Sequence, residues 1–197
     1  MAKVRFAKPV CPHCERASID GVTHSKCAKK YGLDGLVSVW EYEGIIRKAI
    51  LSLKYKYSTL VGQELTACFI DQLLTRAPLV NAKALVPIPL YWYRENTRGF
   101  NQSVEIGKIV AAKMGWKFVP DLLIKKRPTI SQVELKGNDR RQNLKGVFSL
   151  NSNYVLSTLY SVLLFDDVFT TGSTLLEAVK VLKRVGVAKV WGLTIAR

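Results

Sequence analysis

No apolar run in this chain approaches the ~20 residues that a membrane-crossing helix needs, so insertion into a bilayer is not expected. The first residues, MAKVRFAKPVCPHC, carry basic groups but no apolar h-region, so no signal peptide is expected and the chain reads as cytoplasmic. Cysteine is scarce. Four thiols occur in 197 residues, at Cys11, Cys14, Cys27 and Cys68, and in a reducing compartment they are not expected to form disulfides. A chain of this length, one domain or one domain with a small appendage, buries roughly 70% of its unfolded surface and needs no such staples. A G-x-x-x-x-G-K-S/T loop is absent, which excludes a Walker A site. Internal repeats and low-complexity segments are absent too, and the lack of a helix-turn-helix pattern counts against a transcription regulator. Acidic residues are the last shortage: 15 against 30 lysines and arginines, a net charge of +15. That balance points to a polyanionic partner, nucleic acid above all, with phosphorylated small substrates a weaker explanation. A solvated basic surface would give the same total.

What is present centres on residues 161–178, SVLLFDDVFTTGSTLLEA. Residues 162–165 are uniformly apolar, the pattern of a strand covered on both faces in a parallel sheet. Leu175, Leu176, Val179, Leu182 and Val185 then recur at helical spacing until Gly186. Between strand and helix stand Thr170, Thr171, Gly172, Ser173 and Thr174. A helix start presents unpaired N–H groups and the positive end of a dipole, so it suits a phosphate. Gly172 allows close backbone approach and the four hydroxyls can donate to phosphate oxygens. Asp166 and Asp167, just ahead, can accept from sugar hydroxyls or hold a divalent cation's waters. Together these describe a ribose 5-phosphate site. A hydroxyl-and-glycine turn is also an ordinary helix cap.

The N-terminal 35 residues carry a second pattern. Cys11 and Cys14 are followed by His24 and Cys27, a C-x2-C-x9-H-x2-C spacing in which two close pairs complete a tetrahedral zinc site. The segment between them is polar, so metal would supply its stability. All four ligands come from protein, which makes the zinc structural. His13 is a competitor without the paired spacing, and reduced thiols in a loose basic tail are the alternative reading.

The rest of the chain reads as elements around a parallel sheet. Residues 36–42 form a strand, and Ile45, Ile46, Ala49, Ile50 and Leu53 a helical stripe. Lys54 to Tyr57 interleaves lysine with tyrosine, which suits nucleic acid or merely a helix end. A second helix places Val61, Leu65, Cys68, Phe69 and Leu73 inward, so Cys68 reads as core. Residues 84–89 are a buried strand, 91–103 a polar loop, and the helix that follows turns Ile106, Ile109, Val110 and Met114 inward with Ser103 as cap. Residues 116–125 read as one further strand, with 147–150 and 189–195 also extended. In a parallel sheet the carboxyl ends of all strands share one edge. That puts Arg94, Arg98 and Gly99 beside the Asp166 turn, where arginines suit a pyrophosphate or a helix C-terminus. Residues 126–146 are polar and basic without periodicity; Arg127, Arg140 and Arg141 there could close over a ligand or grip a nucleic-acid strand.

FDDVFTTGST resembles the phosphoribosyl pyrophosphate (PRPP) motif of type I phosphoribosyltransferases, two acids followed by T-T-G-x-T. The resemblance extends along nearly the whole chain to the ComF family. It is carried by the cysteine module, Leu53-Lys-Tyr, Val86-Pro-Ile-Pro, Arg98-Gly-Phe-Asn-Gln102, Gln132 with Arg140, Asn143 and Phe148, and residues 166–174. His24 stands where many relatives have cysteine. The resemblance implies an α/β, type I phosphoribosyltransferase fold: a mostly parallel sheet flanked by helices, residues 36–197, with a small N-terminal zinc-binding module, residues 1–35. It implies PRPP and Mg²⁺ as ligands, with Asp166 and Asp167 at the ribose 2′- and 3′-hydroxyls directly or through the cation. Residues 170–174 would bind the 5-phosphate, and the loop containing Arg94, Arg98 and Gly99 would face the pyrophosphate. It further implies a role in natural competence, in uptake of single-stranded DNA beside a helicase-like partner. Two classes stay open: transfer of phosphoribose to an unknown acceptor, or a basic DNA-binding adaptor whose PRPP site is regulatory or vestigial.

Overall fold

A computed structural model describes residues 4–55, 59–76, 84–128, 144–154 and 160–197. Five strands form one parallel sheet: β1 (Gly35–Trp40), β2 (Ala84–Pro87), β3 (Lys117–Phe118), β6 (Ser161–Val168) and β7 (Lys189–Ala196), in the order β1-β7-β6-β2-β3. Two more, β4 (Leu123–Lys125) and β5 (Phe148–Leu150), pair antiparallel as a separate ribbon. Helices α1 (Gly44–Tyr55), α2 (Thr59–Arg76), α3 (Trp92–Arg98), α4 (Gln102–Met114) and α5 (Ser173–Arg184) accompany them, with two short 3-10 turns at Ile19–Gly21 and Ser25–Cys27.

The sheet is covered on both faces, as the uniformly apolar run in β6 requires. Val162 and Leu164 pack with Leu175, Val179 and Leu182 of α5 on one side. Leu163 and Phe165 pack with Ile50 of α1, Phe69 of α2 and Val110 of α4 on the other. This is the mostly parallel, two-sided α/β sheet the sequence predicts. Its connections diverge at one place. β2 leads through α3 and α4 outward to β3, and β6 leads through α5 in the opposite direction to β7. The β2–β6 neighbourhood is therefore a topological switch point, where a crevice opens at the carboxyl ends of the strands.

The N-terminal segment docks on the exposed side of β1 through backbone pairs, Ala7 N–H to Val39 O at 3.0 Å and Thr23 N–H to Asp34 O at 2.9 Å. It thereby covers an edge that would otherwise present unpaired groups. Val10 and Leu33 belong to the α5-side core.

Several expectations are corrected. Cys68 is exposed and α2 instead buries Leu65, Phe69, Ile70 and Leu73, with Val61 also on the outer side. Apolar residues scattered to several sides of α2, the exposed Leu60 and Leu74 among them, give no clear stripe from which to choose its inner face. Ile109 is exposed at the flank of α4, and Val185 is exposed past the end of α5. The polar stretch 91–103 contains the helix α3, and α4 is capped by Asn101, whose side chain accepts from Ser103 N–H at 3.0 Å. Residues 116–125 hold two strands in different sheets, β3 and β4. The side chains of Lys54 and Tyr55, residues 56–58, and the stretch 129–143 with Gln132, Arg140, Arg141 and Asn143 lie outside the described residues.

Candidate functional site

The glycine-and-hydroxyl turn at residues 170–174 stands at the switch point. β6 extends through Asp166 and Asp167, held in register by Asp166 against Thr194 and Val168 against Ala196 of β7. The Asp166 carboxylate accepts from Asp167 N–H at 2.9 Å and from Ser103 Oγ, in the first turn of α4, at 3.4 Å. The start of α4 is fixed in turn by Asn101, which is 3% exposed and donates its amide to Ile88 O at 3.1 Å beyond the end of β2. Two helix N-termini, those of α4 and α5, thus flank two half-buried carboxylates.

The cap residue of α5 is Gly172, at φ +67°, and no side chain caps the helix from that position. Thr171 Oγ1 and Ser173 Oγ pair with each other at 2.8 Å. The turn is thus not the ordinary hydroxyl cap that its composition allows. The left-handed φ requires glycine, and a Cβ there would stand 2.5 Å from the buried Phe169 ring. Thr170 is exposed, Thr171 and Thr174 are half-buried, and Ser173 is buried. Arg94 and Arg98 lie on α3, following β2 on this same edge, with Gly99 at φ +75° just after them. The arginine side chains are outside the described residues. An open cleft of about 530 Å³ lies further along the carboxyl edge, lined by Glu15, Glu41, Tyr42, Glu43 and Arg197 among others.

The second constellation is the metal-ligand cluster. The donor atoms of Cys11, Cys14, His24 and Cys27 all lie within 4.8 Å of one another, close to the span that a tetrahedral zinc with Zn–S near 2.3 Å draws together. His24 turns Nδ1 to Cys14 Sγ at 3.4 Å and donates from Nε2 to Ala17 O at 3.0 Å. That second bond fixes the tautomer and leaves the Nδ1 lone pair facing the thiols, as in a metal-bound imidazole. Burial raises the Cys11 thiol, but hydrogen bonds from the His24, His13 and Cys14 backbone outweigh it and leave the pKa below the ordinary value. Cys27 is pushed up to about 11, first by its hydrogen bond with the Cys14 side chain, then by burial and the other thiols. Three thiols this close cannot all ionise without a cation, so the donor set fits zinc. His13 is not part of it. Its ring bonds Leu33 O at 3.2 Å, and burial lowers its pKa.

No family model matches the chain. Along 94% of its length it is 33% identical to Competence protein F of Haemophilus influenzae, covering 84% of that protein. The chain belongs to the Competence protein F (ComF) family. The ComF-family chain is also 30% identical to the DNA utilization protein YhgH of Salmonella typhi over 95% of its length and 83% of that protein. The corresponding Escherichia coli K12 protein is 28% identical over 94% and 83%. Among solved structures, adenine phosphoribosyltransferase from Leishmania donovani aligns with 70% of this chain and 53% of its own, at 14% identity and a TM-score of 0.39. The Leishmania tarentolae enzyme aligns over 73% and 74%, at 14% identity and a TM-score of 0.36.

In this ComF-family chain the structure therefore brings together the four candidate metal ligands in one group and the two aspartates with the hydroxyl turn in another. Asn101, Ser103 and Ala17 O were not legible as site residues. Ser103 reads as a helix cap from sequence because its true role depends on α4 meeting β6, 63 residues away in the chain.

Proposed function

We propose that this ComF-family chain binds PRPP with Mg²⁺ at the Asp166–Gly172 crevice and serves the uptake and processing of single-stranded DNA in natural competence. The observation that carries the ligand reading is the aspartate pair at the end of β6, beside the start of α4 and immediately before an α5 N-terminus whose cap position is glycine. The names of the Haemophilus and Salmonella relatives support the DNA role, as does the net charge of +15. Residues 1–35 act as a zinc-stabilised module on residues 36–197, with Cys11, Cys14, His24 and Cys27 as a structural site. A cytoplasmic location beside a helicase-like partner completes the reading.

In the crevice, Gly172 and the hydroxyls of Thr170, Thr171, Ser173 and Thr174 hold the 5-phosphate. Asp166 and Asp167 accept from the ribose diol or orient the cation. Held by these carboxylates through its waters, Mg²⁺ would supply charge neutralisation for the leaving pyrophosphate. Arg94, Arg98 and Gly99 face that group. Transfer at this site needs positioning and electrostatics and no protein nucleophile.

The test is thermal unfolding with and without PRPP and Mg²⁺, on wild type and Asp166→Asn. The amide keeps an oxygen for Asp167 N–H and Ser103 and removes only the charge. A ligand at about 100 times its Kd adds roughly 2.7 kcal/mol, a rise in Tm of roughly 5–10 °C for a domain of this size. A rise in wild type that disappears in the variant is expected. No rise at saturating ligand sinks the PRPP site and leaves the adaptor reading.

A further inference from the structure

The two edges of the sheet differ in charge. At the carboxyl edge Asp166 and Asp167 stand in mixed charge, where Glu41 and Glu43 pair with Arg5 and Glu15 with Arg197. The amino edge is built from the described segments 29–35, 113–117, 160–161 and 184–189. These contain Lys29, Lys30, Lys113, Lys117, Arg184 and Lys189, and one carboxylate, Asp34. That carboxylate is already engaged. Lys183 Nζ lies 2.7 Å from Asp34 Oδ2, which also accepts from Val190 N–H at 2.7 Å. Each of the six cations is exposed.

Two aromatic rings are exposed on the same edge. Tyr31 is 38% exposed and Tyr160 70%. The Arg184 guanidinium and the Lys30 ammonium approach the Tyr31 ring, 5.7 Å and 5.4 Å from its centroid. Tyr160 precedes β6, and its carbonyl accepts from Lys189 N–H at 3.0 Å, so its backbone stands beside Lys189. Backbone pairing sets the rest of the line. Asp34 N–H bonds Val190 O, which holds the segment leading into β1 beside the start of β7. Lys117 pairs with Ala84 at the start of β2, which pairs with Val162 of β6. Five strands at ~4.8 Å spacing make a strip about 19 Å long. Helix C-termini account for Lys113 and Arg184 as dipole partners, but Lys30, Lys117 and Lys189 lie outside helices and Tyr31 and Tyr160 cap nothing.

We propose that this amino edge is a single-stranded DNA-binding strip, on the side of the sheet opposite the phosphate cradle. The cations take the phosphates and Tyr31 and Tyr160 offer faces for base stacking, the combination that holds single strands without sequence preference. The inference rests on the DNA role proposed above and assigns it a surface, independent of PRPP. Placement on opposite edges lets a DNA strand and a phosphorylated ligand occupy the protein together.

The experiment is fluorescence anisotropy of a labelled oligothymidine 20-mer titrated with the full chain over a salt series. Wild type, Tyr31→Ala/Tyr160→Ala and Lys30→Glu/Lys189→Glu are compared, with Lys48→Glu/Lys108→Glu as a control of equal charge change on α1 and α4. The tyrosine pair is expected to weaken binding about tenfold or more. The edge lysine pair should flatten the dependence of log affinity on log salt by about 0.7 for each phosphate it no longer neutralises. Both edge variants should keep the PRPP-dependent rise in Tm, and Asp166→Asn should keep DNA affinity. Equal losses in the control and edge lysine pairs overturn the strip, as does undiminished binding in the edge variants. Duplex binding as tight as single-strand binding overturns the stacking role. No binding by wild type removes the DNA role itself, a different failure from the PRPP result.

Discussion

Gly172 and Gly115 offer a matched pair for weighing what holds the cradle in shape. Both are left-handed, at φ +67° and +69°, and each adjoins an end of a helix, α5 and α4 respectively. A Cβ at Gly115 meets nothing within 4 Å, whereas at Gly172 it falls 2.5 Å from two ring atoms of Phe169. Alanine at either position incurs the left-handed strain of about 1–2 kcal/mol. At Gly172 the ring must also move, and Phe169 is only 2% exposed, with its backbone N–H tied to Ala196 O at 2.9 Å. Overpacking of that kind costs about 1–3 kcal/mol more. At ~2–4 °C per kcal/mol for a domain of this size, Gly172→Ala should melt roughly 3–10 °C below Gly115→Ala. Urea denaturation of both variants gives the free energies directly. The displaced ring also shifts Thr171 and Ser173, so Gly172→Ala should lose the PRPP-dependent rise that Gly115→Ala keeps. Equal stability losses in the two variants would refute the packing argument and leave glycine there for backbone reasons alone.

Removing zinc with a chelator should lower Tm and release one metal per chain by mass spectrometry, and Cys27→Ala should abolish stoichiometric zinc. The sign of the pH dependence follows from the metal-free thiols. With Cys27 held protonated up to about 11, zinc must displace its proton. Affinity should rise by at least about tenfold per pH unit between pH 6 and 8 and weaken as pH falls; a flat profile would argue against thiolate ligation. At the other site, Asn101→Ala removes both the α4 cap and the amide bond to Ile88 O. The expected loss is about 1–3 kcal/mol by urea denaturation. Asn101→Asp keeps the cap acceptor and should lose less.

The sequence by itself determined whatever depends on neighbours in the chain. The apolar run 162–165 dictates a strand buried on both faces, because its alternate side chains must meet apolar partners on two sides. The two close pairs Cys11–Cys14 and His24–Cys27 dictate a shared metal geometry, because each tight turn aims two donors the same way. The spacing from Asp166 to Thr174 places acids and hydroxyls at one strand end. Tertiary structure decided the rest. Cys68 faces outward because α2 carries apolar residues on several sides, and its packing against Phe165 and Trp40 through Phe69 selects a face. Ser103 reaches Asp166 because β2 and β6 are neighbours at the switch point, a pairing of segments about 78 residues apart in the chain. His13 is excluded from the metal group by the carbonyl of Leu33, 20 residues further on. The charge of +15 is likewise a sum until the fold distributes it. Parallel pairing gathers the starts of five strands on one edge and their ends on the other, and so brings Lys117 and Lys189 to one edge and Asp166 and Asp167 to the other.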